Sequence, residues 1–105
     1  MAINIENVIR IVQSYADDVR RVMPVDKVVL FGSYAKGTAT EQSDIDICFF
    51  LNTFGGKRRV DILKELLDLM GGYRGIYFEP TAFPSSEINN DNPFVKEILR
   101  TGLEL

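Results

Sequence analysis

The chain has 105 residues with 12 Lys+Arg against 15 Asp+Glu, a formal net charge of −3, and a composition 46% hydrophobic and 26% charged. That length suits one globular domain over residues 1–105, and the mild acidity argues against a nucleic-acid surface, which needs a basic face. There is no histidine and only one cysteine, Cys48, which excludes Ser-His-Asp and Cys-His catalysis, His-containing zinc sites and an internal disulfide.

In chain order, the first expected element is an amphipathic helix carrying Val8, Val12, Tyr15, Val19 and Val22, with Asn4 as N-cap and Pro24 as the stop. Lys27 to Phe31 reads as a buried central strand running into Gly32-Ser33. Tyr34 to Ser43 is small and polar, a helical turn followed by a loop. Asp44 to Leu51 reads as a second strand, with Ile45, Ile47 and Phe49 on one face and Asp44, Asp46, Cys48 and Phe50 on the other. After a loop, Val60, Leu63, Leu66, Leu67 and Met70 mark a helix that Gly71-Gly72 ends. Ile76 to Phe83 is a third strand, and Pro80 within it implies an edge position or early termination. Asn92-Pro93 caps a last helix bearing Phe94, Ile98 and Leu99; Gly102 stops it, and Leu103 to Leu105 can add a short strand. The order predicts an α/β (α+β) fold, a sheet with flanking helices. The longest apolar run, Ile47 to Leu51, is far too short to cross a membrane. The start lacks a signal-peptide pattern, and the lone cysteine fits the cytoplasm, so a cytoplasmic location is expected.

Chemistry concentrates in Gly32-Ser33 and Asp44-Ile45-Asp46. A strand that delivers Gly-Ser into a helical turn aims free backbone amides beyond its end, where phosphate is the usual guest. Gly32 permits close approach, and the Ser33 hydroxyl adds a donor. Alone, Gly-Ser is more often an ordinary turn. Asp44 and Asp46 project from one strand face about 6.6 Å apart. Their mutual repulsion is relieved by a hard cation such as Mg²⁺, although Asp-x-Asp alone is more often a solvated strand entrance.

Together, Gly32-Ser33, ten residues and Asp44-x-Asp46 resemble the polymerase-β nucleotidyltransferase superfamily, and the short length resembles its minimal nucleotidyltransferase (MNT) branch. The resemblance implies a mixed-sheet palm and Mg²⁺-dependent transfer of AMP from ATP, with two ions and pyrophosphate as leaving group. It assigns Gly32 and Ser33 to the triphosphate and Asp44 and Asp46 to metal and catalysis. A third acid usually stands on a later strand; Glu79 is the candidate metal ligand and proton acceptor, against an ordinary exposed glutamate, and Asp61 is poorer because it opens a helix. Such proteins are commonly paired with a HEPN-type RNase toxin, so the resemblance further implies a hetero-oligomer and an antitoxin that adenylylates the toxin, typically on a tyrosine. The alternatives are a binding-only antitoxin or regulatory subunit, and an enzyme acting on a small molecule.

Two lookalikes fail. Gly32-x-x-x-x-Gly37 is followed by Thr38-Ala39 where a P-loop needs Lys-Ser/Thr, and Asp44-x-Asp46 lacks the glycine and terminal glutamate of an EF-hand loop. Lys57-Arg58-Arg59 is out of place at a helix start, where cations oppose the dipole; the compensating group is either outside the chain (triphosphate, an acidic partner or nucleic acid) or, as is more common for a solvated loop cluster, the nearby Asp61. Cys48 has no base and belongs to core or interface.

Overall fold

Asn4 caps the first helix as the sequence predicts: its side chain accepts from the Glu6 and Asn7 amides at the head of α1, Ile5–Arg20. The computed structural model describes residues 4–40, 42–73 and 75–105; Glu41, within the expected Tyr34–Ser43 turn and loop, lies outside them. The remaining α-helices and strands are β1 (Val25–Phe31), α2 (Ser33–Lys36), β2 (Ile45–Leu51), α3 (Arg59–Asp68), β3 (Phe78–Pro84), α4 (Pro93–Thr101) and β4 (Leu103–Glu104), with 3-10 turns at Leu69–Gly72 and Ser85–Asn89.

The strands form one mixed sheet in the order β3-β2-β1-β4. β1 is central and antiparallel to β2 and β4, while β2 and β3 run parallel through the α3 crossover. Pro80 sits on an edge strand, as expected from its missing amide. This is the α/β architecture that the element order predicts, a mixed sheet with flanking helices and the layout of a polymerase-β-type palm. No helix among the described residues is long and apolar enough to cross a membrane.

Two cores line the sheet. On one face Val12, Tyr15 and Val19 of α1 and Ile62 and Leu66 of α3 meet Val28, Leu30, Ile47, Phe49 and Phe78. Tyr15 is its hinge: the ring stacks on Phe78 at 4.5 Å between centroids, and the hydroxyl donates to the Leu66 carbonyl at 2.6 Å. The other face packs Val29, Cys48, Phe50 and Phe83 under Val95 and Ile98 of α4. The predicted alternation of β2 therefore holds residue by residue.

Local expectations shift in several places, beginning with the strand starts: β1 opens at Val25 and β3 at Phe78, in place of Lys27 and Ile76. α1 ends at Arg20, so Val22 lies beyond it and is 62% exposed. In α3, Ile62 and Leu66 enter the core while Val60 and Leu67 are exposed, and the α-helix gives way at Leu69 to a 3-10 turn that carries the chain to Gly72. In α4, Val95 is buried in place of Phe94. Asp44 precedes β2 instead of opening it. Gly102 has a packing reason as well as a stop role: a Cβ there would overlap Val29 Cγ1 and the Ile98 carbonyl.

Candidate active site

Three chain segments converge at one end of the sheet. β1 runs out through Phe31, which is registered against Asp46 near the start of β2. Because β2 and β3 are parallel, their starts lie side by side, and Asp46 is registered directly against Glu79. The ladder is anchored one step earlier, where the Ile45 amide donates to the Tyr77 carbonyl at 2.8 Å. Register alone thus brings the later glutamate beside the Asp-x-Asp pair.

The electrostatics follow from that placement. Burial, the facing Glu79 carboxylate and a hydrogen bond shared with it, and the charge of Asp44 together push the Asp46 carboxyl up to about 6. Half-burial beside two like charges makes the ionised form costly, so Asp46 calls for a proton or a cation. Glu79 and Asp44 are exposed and accessible.

Gly32 makes room for this arrangement. It has φ +72° and ψ −149°, backbone that side-chain-bearing residues rarely adopt, and a Cβ on it would overlap Asp46 Oδ2. The close approach is therefore made by Asp46 itself, a reason for the glycine that spacing does not reveal. Ser33 follows as the first residue of α2, half-buried, in the turn whose leading amides have no acceptor within the helix.

The donors fit a hard divalent ion: all are carboxylate oxygens, and Asp46 is destabilised in the charged form without one. Among the described residues no three potential ligand side chains stand gathered as a ready-made cage. Asp46 and Glu79 form the close pair, and Asp44 stands outside it.

The other candidates resolve into ordinary roles. Asp61 caps α3, accepting from the Arg58 amide at 3.0 Å and from its guanidinium, which holds its carboxyl below the usual range. Lys57 reaches both oxygens of Glu65, at 2.9 and 3.0 Å. Arg59 instead crosses β3, with Nη2 2.9 Å from Thr81 Oγ1 and the guanidinium 4.3 Å from the Phe83 ring centre. No local signal in the sequence marks that crossing. Cys48 is fully buried, and burial pushes its thiol up to about 12, so it offers no nucleophile. A cleft of about 120 Å³ lined by Met23, Leu51, Phe54, Lys57 and Glu65 lies at the far end of β2, away from Asp46 and Glu79.

The sequence matches the nucleotidyltransferase domain family over residues 8–99. Two proteins of Methanocaldococcus jannaschii, each named as a putative protein adenylyltransferase, are similar to parts of it. One is 40% identical over 58 residues, 55% of this chain and 35% of its own length. The other is 38% identical over 42 residues, 38% of this chain and 42% of its own. The chain thus spans well under half of each relative that it matches.

Proposed function

The chain belongs to the nucleotidyltransferase domain family, and from that premise we propose that it transfers AMP from ATP to a hydroxyl of a protein, a tyrosine of a HEPN-type RNase toxin, and so acts as that toxin's antitoxin in the cytoplasm. The observation that carries the reading is the register of β2 and β3, which sets Glu79 against Asp46 above Gly32 with Asp44 two residues away. The names of the two partial relatives support a protein acceptor.

In this reading Asp44, Asp46 and Glu79 would hold Mg²⁺, two ions when the site is full. Mg²⁺ bound there supplies charge neutralisation for the transferring phosphate and the departing pyrophosphate. The first-turn amides of α2 and the Ser33 hydroxyl orient the β- and γ-phosphates, with Gly32 keeping that turn close to Asp46. The acceptor oxygen bonds to the α-phosphorus as the bond to the β-phosphate bridge breaks. The acceptor's proton passes to the Glu79 carboxylate, which is exposed and can return it to water.

Incubation with α-labelled ATP, Mg²⁺ and a purified HEPN-type partner tests this. The expected result is AMP on a partner tyrosine by mass spectrometry, lost in Asp44→Asn and Asp46→Asn. Glu79→Gln should lower kcat about 10²–10⁴-fold with ATP affinity nearly unchanged. A partner neutralised equally well by the wild type and the Asn variants, with no added AMP, would make the chain a binding-only antitoxin.

A further inference from the structure

Of the three consecutive cations at the start of α3, two are matched by acids of that helix: Lys57 by Glu65 and Arg58 by Asp61. Arg59 has no acidic partner within salt-bridge distance among the described residues, and it alone turns onto the sheet. Its guanidinium lies over the Phe83 ring and donates to Thr81 Oγ1. Thr81 and Phe83 are two and four residues beyond Glu79, hence on the same face of the edge strand. Arg59 is thus a cation on the carboxylate face, held by a hydroxyl and an aromatic ring. Thr81 engages one Nη2 hydrogen, leaving other guanidinium donors for an incoming ligand.

Its position across the sheet says which ligand. Gly32 and Ser33 leave from β1, while Arg59 stands over β3, two strands away, roughly 10 Å at the usual strand spacing. Phosphates that run from the carboxylates toward α2 run away from Arg59. The stretch of β3 between Glu79 and Arg59 lies on the side away from α2. Its edges hold the most exposed large apolar side chain among the described residues, Tyr77 at 72%, and Phe94, packed against Phe83 and 51% exposed.

We infer that Arg59 reads a negative charge beside the acceptor hydroxyl, a carboxylate side chain flanking the modified residue of a protein acceptor. This deepens the adenylyl-transfer reading above and rests on it. One guanidinium matches one carboxylate, in a two-pronged hydrogen bond that an ammonium cannot copy. A nucleic-acid acceptor would drag a row of phosphates past Asp44, Asp46 and Glu79 on a chain that is already −3, which disfavours it.

The test uses the full chain, ATP, Mg²⁺ and three synthetic tyrosine peptides that differ only in having Glu, Ala or Lys on both sides of the tyrosine. Transfer by the wild type should run Glu over Ala over Lys, with kcat/KM spanning about tenfold between extremes, a size expected for an exposed charge pair turned from attraction to repulsion. Arg59→Glu should invert the order, and Arg59→Lys should keep it with a narrower spread. ATP affinity, measured by calorimetry with a non-hydrolysable analogue, should be unchanged in both. A merely structural arginine could slow every peptide but could not invert their order. An order that survives Arg59→Glu would overturn the inference, as would a loss of ATP-analogue affinity, which would place Arg59 on the triphosphate. Transfer by the wild type to an RNA 3′ end and to no peptide would overturn it as well. Transfer to no acceptor of any kind would instead count against the enzyme reading, which the HEPN-partner experiment probes separately.

Discussion

Among the described residues, α1 and α3 pack with one face of the sheet into a core of sixteen buried side chains; on the other face α4 and the sheet share a core of six, with Asp46 and Glu79 at the uncovered end. The first face is dense and aromatic at its centre, with Tyr15, Phe49, Tyr73 and Phe78 in edge or stacked contact. The second has a short apolar floor that gives way, along the same strands, to carboxylates. Because β2 alternates, each of its residues serves one face only. Stability and chemistry are therefore carried by interleaved residues of a single strand, and substitutions one position apart should separate them.

The largest effect belongs to the dense face. Phe49 is fully buried and meets the Tyr15 ring edge-on at 5.8 Å between centroids. Phe49→Ala should cost about 3–5 kcal/mol, the range for emptying a buried aromatic site. Urea denaturation measures it, and a cost below about 1 kcal/mol would mean that this face is not where stability resides.

Gly32 lies at the join between the two functions. Gly32→Ala should cost about 1–3 kcal/mol for the backbone conformation, with a further cost from the overlap with Asp46 Oδ2. The second part is removable: in an Asp46→Gly background the alanine should cost measurably less, a coupling that a double-mutant cycle reads directly. Strict additivity of the two substitutions would mean that Asp46 does not pack over Gly32.

Much of this arrangement was legible beforehand because it is written in local chemistry. Asn4 and Asn92-Pro93 announce helix starts, Pro80 announces an edge, and the period-two pattern of β2 assigns its faces. Other features depend on contacts remote in sequence. Helical spacing alone cannot tell that Val95 is buried and Phe94 exposed, because that depends on how α4 is rotated over the sheet. The pairing of Asp46 with Glu79 required the register of two strands joined by a long parallel crossover, which no turn signal sets. The resemblance could offer Glu79 as a third acid near the Asp-x-Asp pair, but not which aspartate it faces. Likewise Gly32 was identifiable as a close-approach residue, while the group approaching it was not.

The smallest effect sharpens the comparison most, because it separates the carboxylate end from everything else by pH. Asp46 titrates near 6 in the folded chain against about 3.9 in an unfolded one. The folded state therefore holds the extra proton between those values, so the stabilising contribution is complete below about pH 4 and is lost as pH rises through about 6. An asparagine in its place would resemble the protonated form, since its amide can donate to Glu79 without adding charge. In metal-free buffer Asp46→Asn should thus be close to neutral at pH 4 and stabilising at pH 7.5, by less than a two-unit displacement alone would give, since Asp46 is only half-buried and solvent screens it. Other groups also titrate, among them Asp61, whose depressed carboxyl acts in the opposite direction as pH falls. Taking the difference between the wild type and the Asn variant at each pH cancels their shared contribution. Mg²⁺ should then erase part of the gap at pH 7.5 by stabilising the wild type alone. A difference in melting temperature that stays flat from pH 4 to 7.5 would mean that Glu79 and burial do not burden Asp46, and the carboxylate end would be as quiet electrostatically as the face behind it.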